Sequence, residues 1–159
     1  MHRLSIVLIA VALCGCKAEA PQVSADSAAS VEFREVADVK QVMNWIMEPS
    51  ADVVWDAVGT VYTEAGEESL QPETDEEWTA VRDAAATVAE AANLLLTPGR
   101  LRDRDDWVKH AHRLTEAAKE ALDAAEAKDV DALFTAGGDM YIVCTECHMQ
   151  YAIGLQRLN

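Results

Sequence analysis

Thr74 to Leu95 reads TDEEWTAVRDAAATVAEAANLL, and the way its apolar residues recur decides the fold. Trp78, Val81, Ala85, Val88, Ala92 and Leu95 follow one another at steps of three and four, which places them on one stripe of a helix. Both ends are marked. Thr74 with Glu77 three residues on has the form of a capping box, in which each side chain takes up an N–H that the first turn leaves unpaired. Thr97-Pro98-Gly99 stops the run, because proline has no N–H to contribute and glycine favours leaving the helix.

The same period extends in both directions. Downstream, Asp103 is placed to cap a helix with Trp107, Ala111, Leu114, Ala118, Ala121 and Ala125 along one face. A last helix starts near Asp129 and is expected to turn Val130, Leu133, Phe134, Gly137, Tyr141, Cys144, His148, Tyr151 and Leu155 toward the core. Upstream, Val36, Val39, Met43 and Ile46 define a first helix that Pro49 should end or kink, and Val54, Val58 and Val61 continue on a short further piece. EAGEESLQPETDEE, residues 64–77, is acidic and holds a glycine and a proline, so it reads as a long loop. There is almost no strand signal. Four amphipathic helices with short connections after that loop predict an all-α fold, an antiparallel four-helix bundle.

The N-terminus has a separate logic. MHRLSIVLIAVALCGC begins with Arg3, continues with an apolar run from Ile6 to Leu13, and ends in small residues before a cysteine, the pattern of an export signal. About 10 apolar residues are too few to span a bilayer, so the segment reads as cleaved rather than as an anchor. Leu13-Cys14-Gly15-Cys16 resembles the lipobox of bacterial lipoproteins, which implies removal of residues 1–15 and lipidation of Cys16. Cleavage after Ala18 or Ala20, giving a free soluble protein, is the alternative. Residues 16–30, rich in Ala, Ser and Pro, have the composition of a flexible tether, and residues 31–159 form the domain. Both readings put it outside the cytoplasm; the lipoprotein reading puts it in the periplasm, anchored to a membrane, with the outer membrane the expected one.

A chain of 159 residues fits one domain, and its net charge of -15 disfavours nucleic acid and anionic membrane surfaces as partners. A basic redox partner suits that charge; solubility alone also accounts for it. With Cys14 lost in the signal and Cys16 acylated, Cys144 and Cys147 remain as a close pair. Two neighbouring cysteines in an exported domain make no disulfide scaffold and need a local explanation.

Cys144-Thr145-Glu146-Cys147-His148 supplies one: it is the C-x-x-C-H pattern of c-type haem attachment. Thiols three residues apart lie one helical turn apart, about 5 to 6 Å between Cβ atoms, and can add to the two vinyl groups of one porphyrin. His148 then stands beneath the iron as proximal ligand. A thioredoxin-like site wants a βαβ setting and a helix N-terminus, and neither is present. Zinc wants four ligands, for which His110 and His112 are unpersuasive partners. A copper set of Cys144, Cys147, His148 and Met149 does not share one helical face. A covalently bound haem c would also supply the bulk that the alanine-rich apolar faces lack.

A haem motif in the last helix of an exported four-helix chain resembles the class II c-type cytochromes, the cytochrome c′ family and its methionine-ligated relatives. The resemblance covers about Val31 to Leu155 and is most specific in CTECHMQY, with Tyr151 at the aromatic position three residues after the ligand. Many members carry an arginine after that tyrosine, where this chain has Ala152. The resemblance implies a sixth position faced by the first helix: a methionine in low-spin electron carriers, a noncoordinating apolar residue in gas-binding members. Met43 and Met47 are offered here, and Met43 matches the family's distal position while Met47 lies two residues from Pro49. The implied function is single-electron transfer through a His148/Met43 haem iron with no substrate turned over, so not an enzyme. A pentacoordinate haem that binds nitric oxide or carbon monoxide is the alternative, and a motif without haem is a third reading. Pairing of two copies through the first two helices is also implied.

Other residues suggest packing. Trp45, Trp55, Trp78 and Trp107 read as core or haem-edge residues. Gly137 and Gly138 each cost a helix about 1 kcal/mol relative to alanine, so close approach by a neighbouring helix or by haem is the expected compensation. Arg100 and Arg102 read as exposed, with haem propionates as the functional alternative.

Overall fold

The computed structural model describes residues 32–152; the export segment, Cys16, the tether and Leu155 lie outside the described residues. Among those described there are four helices and one two-stranded hairpin. Helix α1 is one helical passage in three parts: α-helical over Val39–Val42, π-helical over Met43–Met47 and α-helical again over Glu48–Asp56. Asp38 starts it, its side chain accepting from the Gln41 N–H at 2.8 Å while Gln41 accepts from the Asp38 N–H at 2.9 Å. Of the two outcomes expected of Pro49, an end or a kink, the helix does not end there. The Glu48 N–H bonds five residues back to the Met43 carbonyl, so Pro49 enters the first turn of a restarted α-helix, where its missing N–H matters least.

The segment from Gly59 to Leu70, expected to be helical at first and then loop, forms an antiparallel hairpin instead. Strand β1 (Gly59–Thr63) pairs with β2 (Gly66–Leu70) from Gly59 opposite Leu70 to Thr63 opposite Gly66. Thr60, Val61, Tyr62 and Thr63 are β-branched or aromatic, and Gly66, at φ 136°, takes the backbone setting that the turn requires. Nearly every hairpin residue is exposed, so no alternation of apolar and polar residues marked it in the sequence.

Helices α2 (Asp75–Leu94), α3 (Asp106–Ala127) and α4 (Val130–Tyr151) follow. The Thr74/Glu77 capping box is present. Asp103 caps α3 from just upstream, accepting from the N–H groups of Asp105 and Trp107 at 2.9 and 3.0 Å. Asp129 caps α4 by accepting from Ala132. Side-chain contacts fix the directions. Arg100, beyond the end of α2, bonds to the Ala37 carbonyl before α1, so those two helices run opposite ways. Trp107 of α3 bonds to the Leu95 carbonyl at one end, and Lys128 meets Asp75 at the other. His110 of α3 meets Gln150 of α4. Each helix is therefore antiparallel to the next, and α1 packs against both α2 and α4.

The core is built largely from alanine. Ala84, Ala85, Ala91 and Ala92 of α2 and Ala111, Ala117, Ala118 and Ala121 of α3 are all buried, which lets two backbones approach closely with little apolar area per residue. Leu133, Met140, Val42, Val54 and Val88 are the largest fully buried side chains. The face of α4 differs from expectation. Leu133, Ala136, Gly137, Met140 and Val143 are buried, whereas Phe134 and Tyr141 are 63% and 61% exposed. Met140 to Val143 are apolar without a break, so periodicity there does not fix which side turns inward.

Other expectations are corrected in the same way. Trp78 and Trp107 are core residues and Trp55 is half-buried, but Trp45 is exposed. Close approach compensates only one glycine: the Trp55 indole N–H donates to the Gly137 carbonyl at 2.9 Å, while a Cβ at Gly138 would meet nothing within 4 Å. Arg100, expected at the surface, is buried; it donates to the carbonyls of Ala37 and Leu94 and to the Thr97 hydroxyl.

Candidate functional site

Cys144 to His148 occupy the last turns of α4, where nothing after Gly138 interrupts the helix. Both thiols are unbridged and half-buried, and Cys144 packs against the core. His148, expected on the core face, is exposed. Burial pushes the Cys144 thiol above its ordinary value. Burial, and then the neighbouring Cys144, push Cys147 up to about 11. The C-terminal end of a helix carries partial negative charge, which acts in the same direction. Both thiols therefore hold their protons at neutral pH. A dithiol redox site needs the reverse, a thiol pKa lowered by a helix N-terminus or a nearby cation.

The turn that follows His148 is tied down by side chains. The Tyr151 hydroxyl donates to Asp103 Oδ2 at 2.5 Å, and its ring meets Trp107 edge-on with centroids 4.9 Å apart. Burial and then the bond to Asp103 push the Tyr151 phenol up to about 12. Gln150 Nε2 donates to Asp106, so its Oε1 faces His110 Nε2 at 3.2 Å as acceptor. That makes His110 the Nε2–H tautomer and leaves its buried Nδ1 without a partner. One turn earlier, Glu146 forms an ion pair with Arg113 of α3. Apart from the Asp103 cap, none of these contacts had a sequence signal, because they join residues about forty positions apart.

The N-terminal half of α1 lies at this same end of the molecule, since α1 starts beside the end of α2 and runs opposite to it. Met47 is only 5% exposed and already serves as core filler; Met43 is half-buried at the margin of the core. Their end of the molecule follows from the contact between Trp55 and Gly137. Met43 precedes Trp55 by 55 - 43 = 12 residues, and His148 follows Gly137 by 148 - 137 = 11. Both Met43 and His148 therefore lie on the same side of the Trp55–Gly137 contact, toward one end of the molecule. Close backbone approach between α1 and α4 belongs to the Glu48–Asp56 part, while the Met43–Met47 segment lies against α2.

These features fit a porphyrin. Two unbridged thiols stand one turn apart, an exposed imidazole follows them, Met43 lies toward the same end of the molecule, and Tyr141 and Trp45 expose apolar surface on α4 and α1. Among the described residues, no group of three or more His, Cys, Asp or Glu side chains converges to hold a metal ion, so a zinc site has no set of ligands there. Surface grooves of about 620 and 760 Å³ lie elsewhere, between α3 and α4 beside Ile142 and at the foot of the hairpin beside Phe134. Neither includes Cys144, Cys147 or His148. No protein family, curated protein or solved structure matches the chain.

Proposed function

We propose that the protein is a periplasmic monohaem c-type cytochrome of the class II kind, an antiparallel four-helix bundle that carries single electrons and turns over no substrate. The observation that carries this reading is C-x-x-C-H in the last turns of α4, with both thiols unbridged and half-buried. Cys144 and Cys147 would hold haem c through thioethers, His148 would ligate the iron, and Met43 would complete the coordination. A bound haem supplies an iron that cycles between ferric and ferrous states, and a His/Met pair favours the ferrous state.

The chain's own part is to hold ligands and exclude water. Met43 is preferred to Met47 on freedom: a side chain wedged in the core, as Met47 is, cannot leave it without opening a cavity. Lipidation of Cys16 would tether the domain to a membrane, and several acyl chains give stable anchoring at about 0.8 kcal/mol per buried methylene. The acidic surface suits a basic redox partner. The test is a reduced-minus-oxidised spectrum, with intact mass, of protein matured in an exporting host. A mass increment of one haem with a low-spin α band supports the proposal. A high-spin reduced spectrum refutes methionine ligation in favour of a gas-binding site, and two titratable thiols with no Soret band refute the haem reading itself.

A further inference from the structure

The proposed iron ligand rides on the last described turn of α4. Ala152, right-handed at φ -94° and ψ -46°, donates to the His148 carbonyl at 2.9 Å. The last four carbonyls of a helix have no partner within it, so its final turn depends most on contacts from elsewhere.

What secures it comes from the α2–α3 junction. Asp103 is a fixed post, because its Oδ1 already accepts from the N–H groups of Asp105 and Trp107. Trp107 is fixed too, 4% exposed and bonded through its indole N–H to the Leu95 carbonyl at 2.8 Å. Against this pair Tyr151 places its hydroxyl on Asp103 Oδ2 and its ring on Trp107. Gln150 adds a second tie through Asp106 and His110. Tyr151 stands three residues after His148, so releasing it frees the backbone turn on which the imidazole rides.

We infer that Asp103 and Tyr151 form a latch that holds the last turn of α4, making both of them positioning residues for His148. The ligand role rests on the haem proposal above; the latch on the helix end does not. The test uses the full chain matured in an exporting host, as wild type, Tyr151→Phe, Asp103→Ser and the double variant. Phenylalanine keeps the ring against Trp107, and serine remains a good cap for α3 but is too short to reach the Tyr151 hydroxyl, so each single change removes the latch bond and little else.

Amide hydrogen exchange should accelerate about tenfold at residues 148–152 in either variant, with residues 130–143 unchanged and no further gain in the double variant. The reduced haem spectrum should gain a high-spin fraction, and the midpoint potential should move the same way in both. Unchanged exchange at 148–152, or acceleration spread evenly along α4, overturns the latch. Local acceleration with unaltered spectrum and potential overturns the positioning role. Local acceleration in the variants, when wild type and variants alike mature without haem, keeps the latch and removes the ligand, which separates the failure of the haem proposal from that of the latch.

Discussion

Alkylation by iodoacetamide reads the electrostatics around Cys147 directly. In the haem-free chain burial raises this thiol from 9.0 to about 11. At pH 8 a thiol of pKa 9.0 is about one-tenth thiolate and one of pKa 11 about one-thousandth, a hundredfold deficit in the reactive form. The more basic thiolate is the better nucleophile, and a Brønsted slope of about 0.4–0.5 over two pH units returns roughly eightfold. Cys147 should therefore react about tenfold more slowly at pH 8 than an ordinary cysteine, with a rate that climbs tenfold per pH unit and shows no plateau up to pH 10. The assay is alkylation followed by peptide mass spectrometry from pH 7 to 10, with a short cysteine peptide as reference. The sign on stability follows: the folded chain holds this proton more tightly than the unfolded one, so the contribution is complete at neutral pH and is lost as pH rises through about 11. Labelling at the peptide's rate, or a plateau below pH 9, would refute both the burial argument and the rejection of a dithiol redox site.

Met43→Ala in the haem-loaded protein should convert a low-spin spectrum to high-spin and lower the potential; the same change from Met47→Ala alone would transfer the ligand to Met47. Ala118 and Ala121 are fully buried on α3, so leucine at either should cost about 1–3 kcal/mol in urea unfolding through overpacking. Gly138→Ala should instead stabilise by up to about 1 kcal/mol, because the new Cβ meets nothing within 4 Å, whereas Gly99→Ala should cost no more than the bond from the Gly99 N–H to Glu35, because only the flexible Glu35 carboxylate stands in the way of its Cβ. Glu35, Asp75, Glu77 and Asp103 all have lowered pKa values, chiefly from hydrogen bonds to Thr97, Lys128, Glu73 and Tyr151 respectively. The unfolded chain thus binds protons more readily, and stability present above about pH 5 should fall as pH drops through the folded values; Asp103→Asn should flatten that acid limb.

How much was legible in the sequence depended on whether a feature was local. The helices α2 and α3, their alanine faces and the caps at Thr74, Asp103 and Asp129 repeat at short spacing, and the structure keeps them. The hairpin escaped because its strands bury no alternate face and its acidic residues resemble a loop. Pro49 left an end or a kink open because a π turn upstream, invisible in composition, restarts the helix in a register that a proline tolerates. Arg100 misled because its partners, the carbonyls of Ala37 and Leu94, are backbone groups of distant segments. At the candidate site, the motif itself was legible as a spacing. The placing of Cys144 against the core was legible too, from periodicity; the burial of Cys147, the exposure of His148 and the latch at Tyr151 were not, since each depends on how α4 is rotated against α1 and α3.

Rotation and polarity of α4 also bear on what a C-x-x-C pair can do. The same two cysteines at the start of a helix face unpaired N–H groups that stabilise a thiolate, the form required for disulfide exchange and for metal binding. Here they follow fourteen residues of helix, Val130 to Val143, so they lie toward its carbonyl end in half-buried surroundings instead. Both influences favour the neutral thiol. A thiol that stays protonated is a poor partner for disulfide exchange and for a metal ion. The end of the helix on which the pair sits therefore counts against the dithiol-redox and zinc readings, and it does so independently of the histidine that follows.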